Sequence, residues 1–343
     1  MRSTRPVEDP LLLATMAATA VASAEPIGVV ADLALKAIAG GVRDYVQIGL
    51  FHAVVYVGIS LSVAERYEEC AAFWDYVIDE ASRAGAPVVY AIGSCYRAEL
   101  NLRRGRVVDA EADARTSVRL FHESGVEHLE ALAYLAQVLV ERDQSGEAVD
   151  LLRAAPPPEH PSLWAHYMAS FSRGRAMIAE GGIEAGLEDL KLCADPGALS
   201  FGSAAVQWRS ETAAALHGLG DVATAQALVA EELRLAEAAA APRAIGAALT
   251  VKGAIAARGE AVPILRQAEK TLKETPSVLE HARASVGLGA ALRRAGERRE
   301  MSFVAAWLVR RNAADFASAA WRGRNSRRPE RGRAATSCEG GTR

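Results

Sequence analysis

The sequence predicts an all-α solenoid of antiparallel helical hairpins wound into a superhelix, and three observations carry that reading. Short helix-turn signals recur every 37 to 40 residues, starting at Glu65, Gly105, Asp143, Gly181, Gly220, Gly259 and Gly296. The same residue classes return at the same offsets from each start. Composition agrees: half of the 343 residues are hydrophobic, alanine dominates them, and aromatics make up only 6%. Alanine is the best intrinsic helix former. A fixed period of this size marks stacked helical units, each unable to bury its apolar face alone.

Taken in order, the chain first offers a helix after Asp9-Pro10, with Asp9 as cap and Pro10 in the first helical position. Arg2 and Arg5, the run Leu11-Leu12-Leu13 and the small residues Ala22-Ser23-Ala24 imitate a secretory signal. Glu8 and Asp9 in the basic region, and Thr15 and Thr19 in the apolar one, favour an internal helix. Residues 27–39 form a second helix, ended by Gly40-Gly41.

The repeats follow. Seven positions before each turn lie Gly58, Ala98, Ala136, Gly174, Ala213, Lys252 and Gly289; four before lie Leu61, Asn101, Leu139, Met177, Leu216, Ile255 and Leu292. Five after lie Cys70, Ala110, Ala148, Gly186 and Ala225, with Ile264 and Met301 breaking the rule. A small residue where two helices cross lets their backbones approach, and a larger one four positions on fills the neighbouring groove. The unit is therefore helix A, a tight turn, helix B and a looser connection. Residues 202–218 exemplify helix A, with Val206, Ala213 and Leu216 inward. Residues 221–239 exemplify helix B, capped by Asp221. Breakers fall between units at Gly85-Ala86-Pro87, Ser124-Gly125, Pro156-Pro157-Pro158, Asp195-Pro196-Gly197, Ala241-Pro242 and Thr275-Pro276. Lys252 sits where a small residue is expected and Gly253 follows it, so the sixth repeat should be out of register by one residue.

The array so read occupies residues 1–300, and 301–343 form an Arg-rich tail. Residues 297–343 hold eleven Arg and five acids, for +6, which leaves −9 on residues 1–296. An acidic body does not suit duplex nucleic acid, which needs clustered cations to displace counterions, so no direct DNA binding is expected. The tail reads as a disordered basic end or, since composition changes abruptly at a repeat midpoint near Glu300, as the product of a reading-frame shift. No window approaches the ~20 apolar residues of a membrane span. Cys70, Cys95, Cys193 and Cys338 are far apart and lack metal-ligand spacing, as expected of buried small residues in a reducing cytoplasm.

No catalytic constellation emerges, and neither an enzyme nor a cofactor is expected. The chain lacks a GxxxxGK[ST] loop, HExxH and GxSxG; Gly287-x-Gly289 falls in the packing column. His122 and His128 flank a turn, while His160 and His166 share a helix with Trp164 and Tyr167 and read as packing. Binding is the better expectation. The A helices should line the concave surface, where columns seven residues apart share a face and present His52, Glu99, Glu130, Gln137, Arg175, Gln207 and Arg283. Tyr56, Tyr96 and Tyr134 stand one column over. Arg97 and Arg173 occupy a column that is normally apolar, so each should snorkel, pair with an acid or bind an anion.

The columns resemble the tetratricopeptide pattern. Three stretches, Ala24–Gly41, Pro242–Leu249 and Leu279–Gly296, look like the helical-repeat region of large LuxR-type, MalT-like actinobacterial transcriptional regulators, a resemblance covering roughly residues 25–300. It implies a sensor array that binds a peptide, protein or small inducer, placed in the family between an ATPase module and a helix-turn-helix domain, neither of which is recognisable here. Self-association is a further expectation of that family. The alternative is a stand-alone adaptor that scaffolds partner proteins, and an α-helical enzyme is the distant third.

Overall fold

The computed structural model describes residues 9–46, 49–155, 163–194, 202, 204–257 and 259–297. The tail 301–343, Cys338, His160 and the triple proline lie outside them. Among the described residues the regular structure is helical throughout: α1 (Pro10–Ala22), α2 (Ile27–Ala39), a short 3-10 turn (Val42–Val46), α3 (Phe51–Val63), α4 (Tyr67–Ala84), α5 (Pro87–Arg103), α6 (Val107–Glu123), α7 (Leu129–Glu141), α8 (Ser145–Ala154), α9 (Leu163–Ala179), α10 (Ile183–Leu192), α11 (Trp208–Leu219), α12 (Val222–Ala238), α13 (Pro242–Ile255), α14 (Ala261–Lys273) and α15 (Val278–Ala295). Each helix packs on its sequence neighbours and on the next helix but one, as a solenoid requires.

The two N-terminal helices form where local chemistry places them. The Asp9 carboxylate accepts hydrogen bonds from the Leu11 and Leu12 N–H groups, and Pro10 opens α1. Leu13, Ala14, Ala17, Ala20 and Val21 face the core. The helix packs against α2 and α3.

Six of the seven turn signals share one backbone device. Glu65, Gly105, Asp143, Gly181, Gly220 and Gly296 all take positive φ, between +59° and +91°, the left-handed conformation that ends a helix and reverses the chain. Gly259 does not. There α13 stops at Ile255 and Ala256 is extended, so the sixth hairpin turns by a different route. Its register is shifted as the sequence suggests: Gly253 is buried, and a Cβ there would stand 2.6 Å from Leu265 Cγ, while Lys252 is half-buried at the side. Elsewhere the small column does what crossing helices need. A Cβ on Gly58 would lie 1.9 Å from the Trp74 indole, and Ala98, Ala136 and Ala213 are fully buried. Cys70 on the facing helix donates its thiol to the Gly58 carbonyl at 3.4 Å.

One helix is shorter than expected. Residues 204–207 are not helical, and α11 begins only at Trp208. Ala204, Ala205 and Val206 are instead buried in the interior of the superhelix. Arg243 donates to the Ala204 carbonyl and Arg103 to that of Ala205. Backbone acceptors satisfied by side chains have no need of a helix.

The superhelix returns on itself. Ile27 N–H donates to the Ala239 carbonyl, the Glu65 carboxylate accepts the Arg243 N–H, and the Tyr67 and Ser277 hydroxyls bond at 2.9 Å. Val278 packs on Gly105, and Leu279 joins Leu102, Val107, Ala110 and Val138 in one apolar cluster. The last helices therefore close the concave side against the early repeats.

Candidate functional site

The interior wall is built from the A helices α3, α5, α7, α9, α11, α13 and α15, and its side chains bond from one repeat to the next. Ser62 donates to Glu99, the Tyr96 hydroxyl to Glu130, Gln137 to Ser172 and Gln207 to the Ala244 carbonyl, all over separations of 34 to 37 residues. A separation of one repeat is what a ladder of parallel A helices produces. Several columns predicted to face inward are the rungs of this ladder.

The rungs surround a cavity of about 90 Å³ lined by Glu99, Arg103, Tyr134, Gln137, Glu141, Trp164, Met168, Phe171, Arg175, Gln207, Glu211, Arg243, Glu280 and Arg283 among others. Its centre is an ion network. The Glu141 carboxylate accepts from both Arg175, at 2.9 Å, and Arg283. Arg175 also reaches Glu211 at 2.9 Å and lies over the Phe171 ring. Arg283 pairs with Glu280 at 2.7 Å, and Arg103 pairs with Glu99. Burial pushes the Glu141 pKa up, but Arg283 and Arg175 overcome it and hold the carboxyl below its usual value. The four acids and four arginines balance, so the cavity can accept a zwitterionic or polar group without a large net field.

An aromatic layer closes one side. Tyr96 stacks on Trp74 with ring centroids 5.2 Å apart and meets Tyr134 edge-on at 5.8 Å. Burial raises the pKa of both phenols, with neighbouring carboxylates adding to it. Trp164 stacks with Tyr167, while His166 is exposed.

Of the residues expected on the concave face, the structure gathers Glu99, Tyr134, Gln137, Arg175, Gln207 and Arg283 around this cavity. Tyr96 and Glu130 sit in the layer behind it, hydrogen-bonded to each other. His52 and Tyr56 lie on α3, away from the cavity. Arg97 and Arg173 also stand apart and pair with acids of their own hairpins, Asp113 and Asp189; Arg97 reaches Asp75 on α4 as well, at 2.9 Å. Arg103, Glu141, Glu211 and Arg243 were not singled out from the sequence. Arg103 and Glu141 lie four residues after Glu99 and Gln137, one helical turn along the same face, so the repeat columns held a signal for them. Arg243 had none, because superhelical closure alone brings it inward.

A second, larger and mostly apolar cavity of about 270 Å³ lies between α6, α7 and α8, lined by Val118, Phe121, His128, Leu132 and Leu151 among others. It lacks converging polar groups. His128 has a structural task there: its ring stacks on Phe121 at 4.2 Å and Nδ1 accepts the Ala131 N–H at the start of α7. Burial lowers its pKa to about 4. Among the described residues no three His, Cys, Asp or Glu side chains are placed to hold a metal ion. Cys70, Cys95 and Cys193 are free and buried, and burial pushes the Cys193 thiol up to about 12. No described helix is long and apolar enough to cross a membrane.

Fold and interior together define an all-α solenoid of helical repeats. Among solved structures, the chain is similar to a Rap protein complexed with competence and sporulation factor: TM-score 0.54 at 15% identity, covering 94% of this chain and 89% of that one. It also matches the apo form of RapI (TM-score 0.39, 10% identity, 92% and 98% covered) and BtubC from P. vanneervenii (TM-score 0.41, 14% identity, 71% and 98% covered). At these identities the likeness is one of fold. Comparison with protein-family models and with curated proteins finds no match.

Proposed function

We propose that this chain is a non-enzymatic sensor and protein-interaction array, and that its interior cavity takes up the end of a peptide or protein segment, or a small inducer. The observation that carries the reading is the Arg175–Glu141–Arg283–Glu211 network, in which side chains from four A helices converge on one small space. Four half-buried ionic groups cost desolvation free energy that apolar residues of the same volume would avoid. A folding role alone leaves that cost unexplained, whereas a binding role uses the donors and acceptors. The volume of about 90 Å³ is below the roughly 300 Å³ at which drug-sized pockets begin. The occupant therefore inserts an end or a side chain and rests its remainder at the mouth. That a Rap protein of similar fold was solved with competence and sporulation factor agrees with a ligand-holding role for such arrays.

The resemblance to LuxR-type, MalT-like regulators suggests the finer reading, a cytoplasmic sensor region working with an ATPase and a helix-turn-helix module. The stand-alone adaptor is the second reading. Translating the flanking DNA in all frames separates them: an ATPase frame before and a helix-turn-helix frame after support the regulator, and their absence supports the adaptor.

The binding itself is tested by panning a random peptide display library against the full chain. Binders should lose affinity for Arg175→Gln and Gln137→Ala chains and keep it for Arg119→Ala, on the exposed outer face of α6. Binders insensitive to both cavity substitutions would refute the reading.

A further inference from the structure

Within the cavity the charges pair unevenly. Glu141 serves two arginines, Arg175 and Arg283, and both of these have a second acid as well. Arg243 has no ion-pair partner among the described residues, although it is only 6% exposed. Its guanidinium donates to one backbone carbonyl, that of Ala204. The nearby Glu65 carboxylate is engaged with the backbone N–H of Arg243 at 2.8 Å. Arg103 comes up to the same short segment, giving Nη2 to the Ala205 carbonyl at 3.2 Å and Nε to Glu99. Its Nη1 is buried with no hydrogen-bond partner. Two guanidinium groups thus converge on consecutive carbonyls and line the same cavity; Arg103 keeps a spare donor and bonds Glu99, and no described carboxylate stands at ion-pair distance from Arg243.

A buried guanidinium with no carboxylate at ion-pair distance is costly, because each guanidinium carries five donors and a full charge that cannot be shed; Glu280 and Glu65 attract Arg243 only from farther off. The cost shows in Arg243: burial, and then the like charge of Arg103, lower its pKa, and Tyr67, Glu280 and Glu65 offset this only in part. A planar anion relieves both defects at once, since a carboxylate accepts two parallel hydrogen bonds from a guanidinium fork.

We propose that Arg243 and Arg103 form the anion subsite of the cavity and that it takes the carboxylate of the incoming ligand. This rests on the binding reading above and narrows it to a ligand that carries a carboxylate at its leading end. A free peptide terminus, an acidic side chain and a small organic acid share that chemistry. The Ala204 and Ala205 carbonyls then keep their bonds, and the carboxylate occupies the remaining donors.

The test uses the full chain and simple probes. Arginine Nε–Hε signals are followed by NMR during titration with N-acetylalanine, its neutral amide and inorganic phosphate. N-acetylalanine should shift the Arg243 and Arg103 signals saturably and leave Arg97 unchanged, and the amide should have no effect. Arg243→Gln should weaken the acid by about tenfold or more, in line with a charge-assisted hydrogen bond. Arg243→Lys, which keeps the charge, should weaken it less and guards against a folding defect in the first variant. Equal response to acid and amide, no response to either, or a response to phosphate alone would overturn the assignment. An acid-terminated peptide and its C-terminal amide, both taken from the display experiment, then separate a terminal from a side-chain carboxylate. If such peptides bind through Gln137 and Arg175 while N-acetylalanine fails, the anion subsite falls and the binding reading stands.

Discussion

Arg97 holds Asp113 across the α5–α6 hairpin through two parallel hydrogen bonds, Nε to Oδ2 at 2.9 Å and Nη2 to Oδ1 at 2.7 Å. Arg173 and Asp189 repeat the arrangement across α9–α10, again sixteen residues apart. In both hairpins the arginine lies eight residues before the turn and the aspartate eight after. The corresponding pair in α7–α8 is Leu135 and Leu151. The fold therefore accepts an ionic or an apolar clamp at one place in the unit.

That equivalence predicts a non-additive pair. Asp113→Leu alone should cost about 1–3 kcal/mol, because it strips half-buried Arg97 of its two-bond partner and leaves it only the exposed Asp75. Adding Arg97→Leu should recover most of the loss. Urea denaturation of the two singles and the double checks this, and additive losses would show that the clamp is more than a packing solution.

Gly58 faces Trp74 with no room for a side chain, so Gly58→Ala should overpack the α3–α4 crossing and cost about 1–3 kcal/mol. Gly218 in α11 meets nothing within 4 Å. Gly218→Ala should be neutral or stabilising by about 0.5–1 kcal/mol, since alanine loses less backbone entropy in a helix. Thermal melts of the two chains should move in opposite directions.

Asp143 and Glu65 both hold turns at positive φ, +63° and +59°. Glycine adopts that conformation freely, so Asp143→Gly should stabilise by about 1 kcal/mol. Glu65→Gly should not, because its carboxylate also caps the Arg243 N–H. Comparing the two denaturation midpoints tests whether Glu65 is kept for that long-range bond.

His128 makes stability depend on pH. Its folded-state pKa of about 4 lies below the ordinary 6.5, so the unfolded chain binds the extra proton first. The contribution is full above about pH 6.5 and is lost as pH falls toward 4, by up to about 3 kcal/mol. Glu130, 3.4 Å from Nε2, attracts the protonated ring and trims that figure. His128→Asn keeps a capping acceptor and removes the titration. Its denaturation midpoint should change less between pH 7 and pH 4.5 than that of the parent chain.

Much of the fold was legible because its determinants are local. The Asp9 cap, the positive-φ turns, the small crossing residues and the slipped sixth repeat each depend on a few neighbouring residues, which the periodic columns expose. The cavity was legible in part: Glu99, Gln137 and Arg175 share a column and meet there because stacked A helices present one face. The failures are equally specific. Arg97 and Arg173 pair with acids, as one of their expected outcomes had it, but those acids, on neighbouring helices, keep them away from the cavity. Residues 204–207 have a helical pattern, yet they line the interior because Arg103 and Arg243 take their carbonyls.

The sequence by itself determined that the chain is a stack of helical hairpins, where each hairpin turns and which residue classes face inward, since helix periodicity and capping act over one or two turns. Tertiary structure alone decided that the stack closes on itself. Closure sets Glu141 against Arg283 and Arg103 beside Arg243. Those contacts span more than a hundred residues and depend on the small rotation that accumulates from repeat to repeat, which no single repeat encodes.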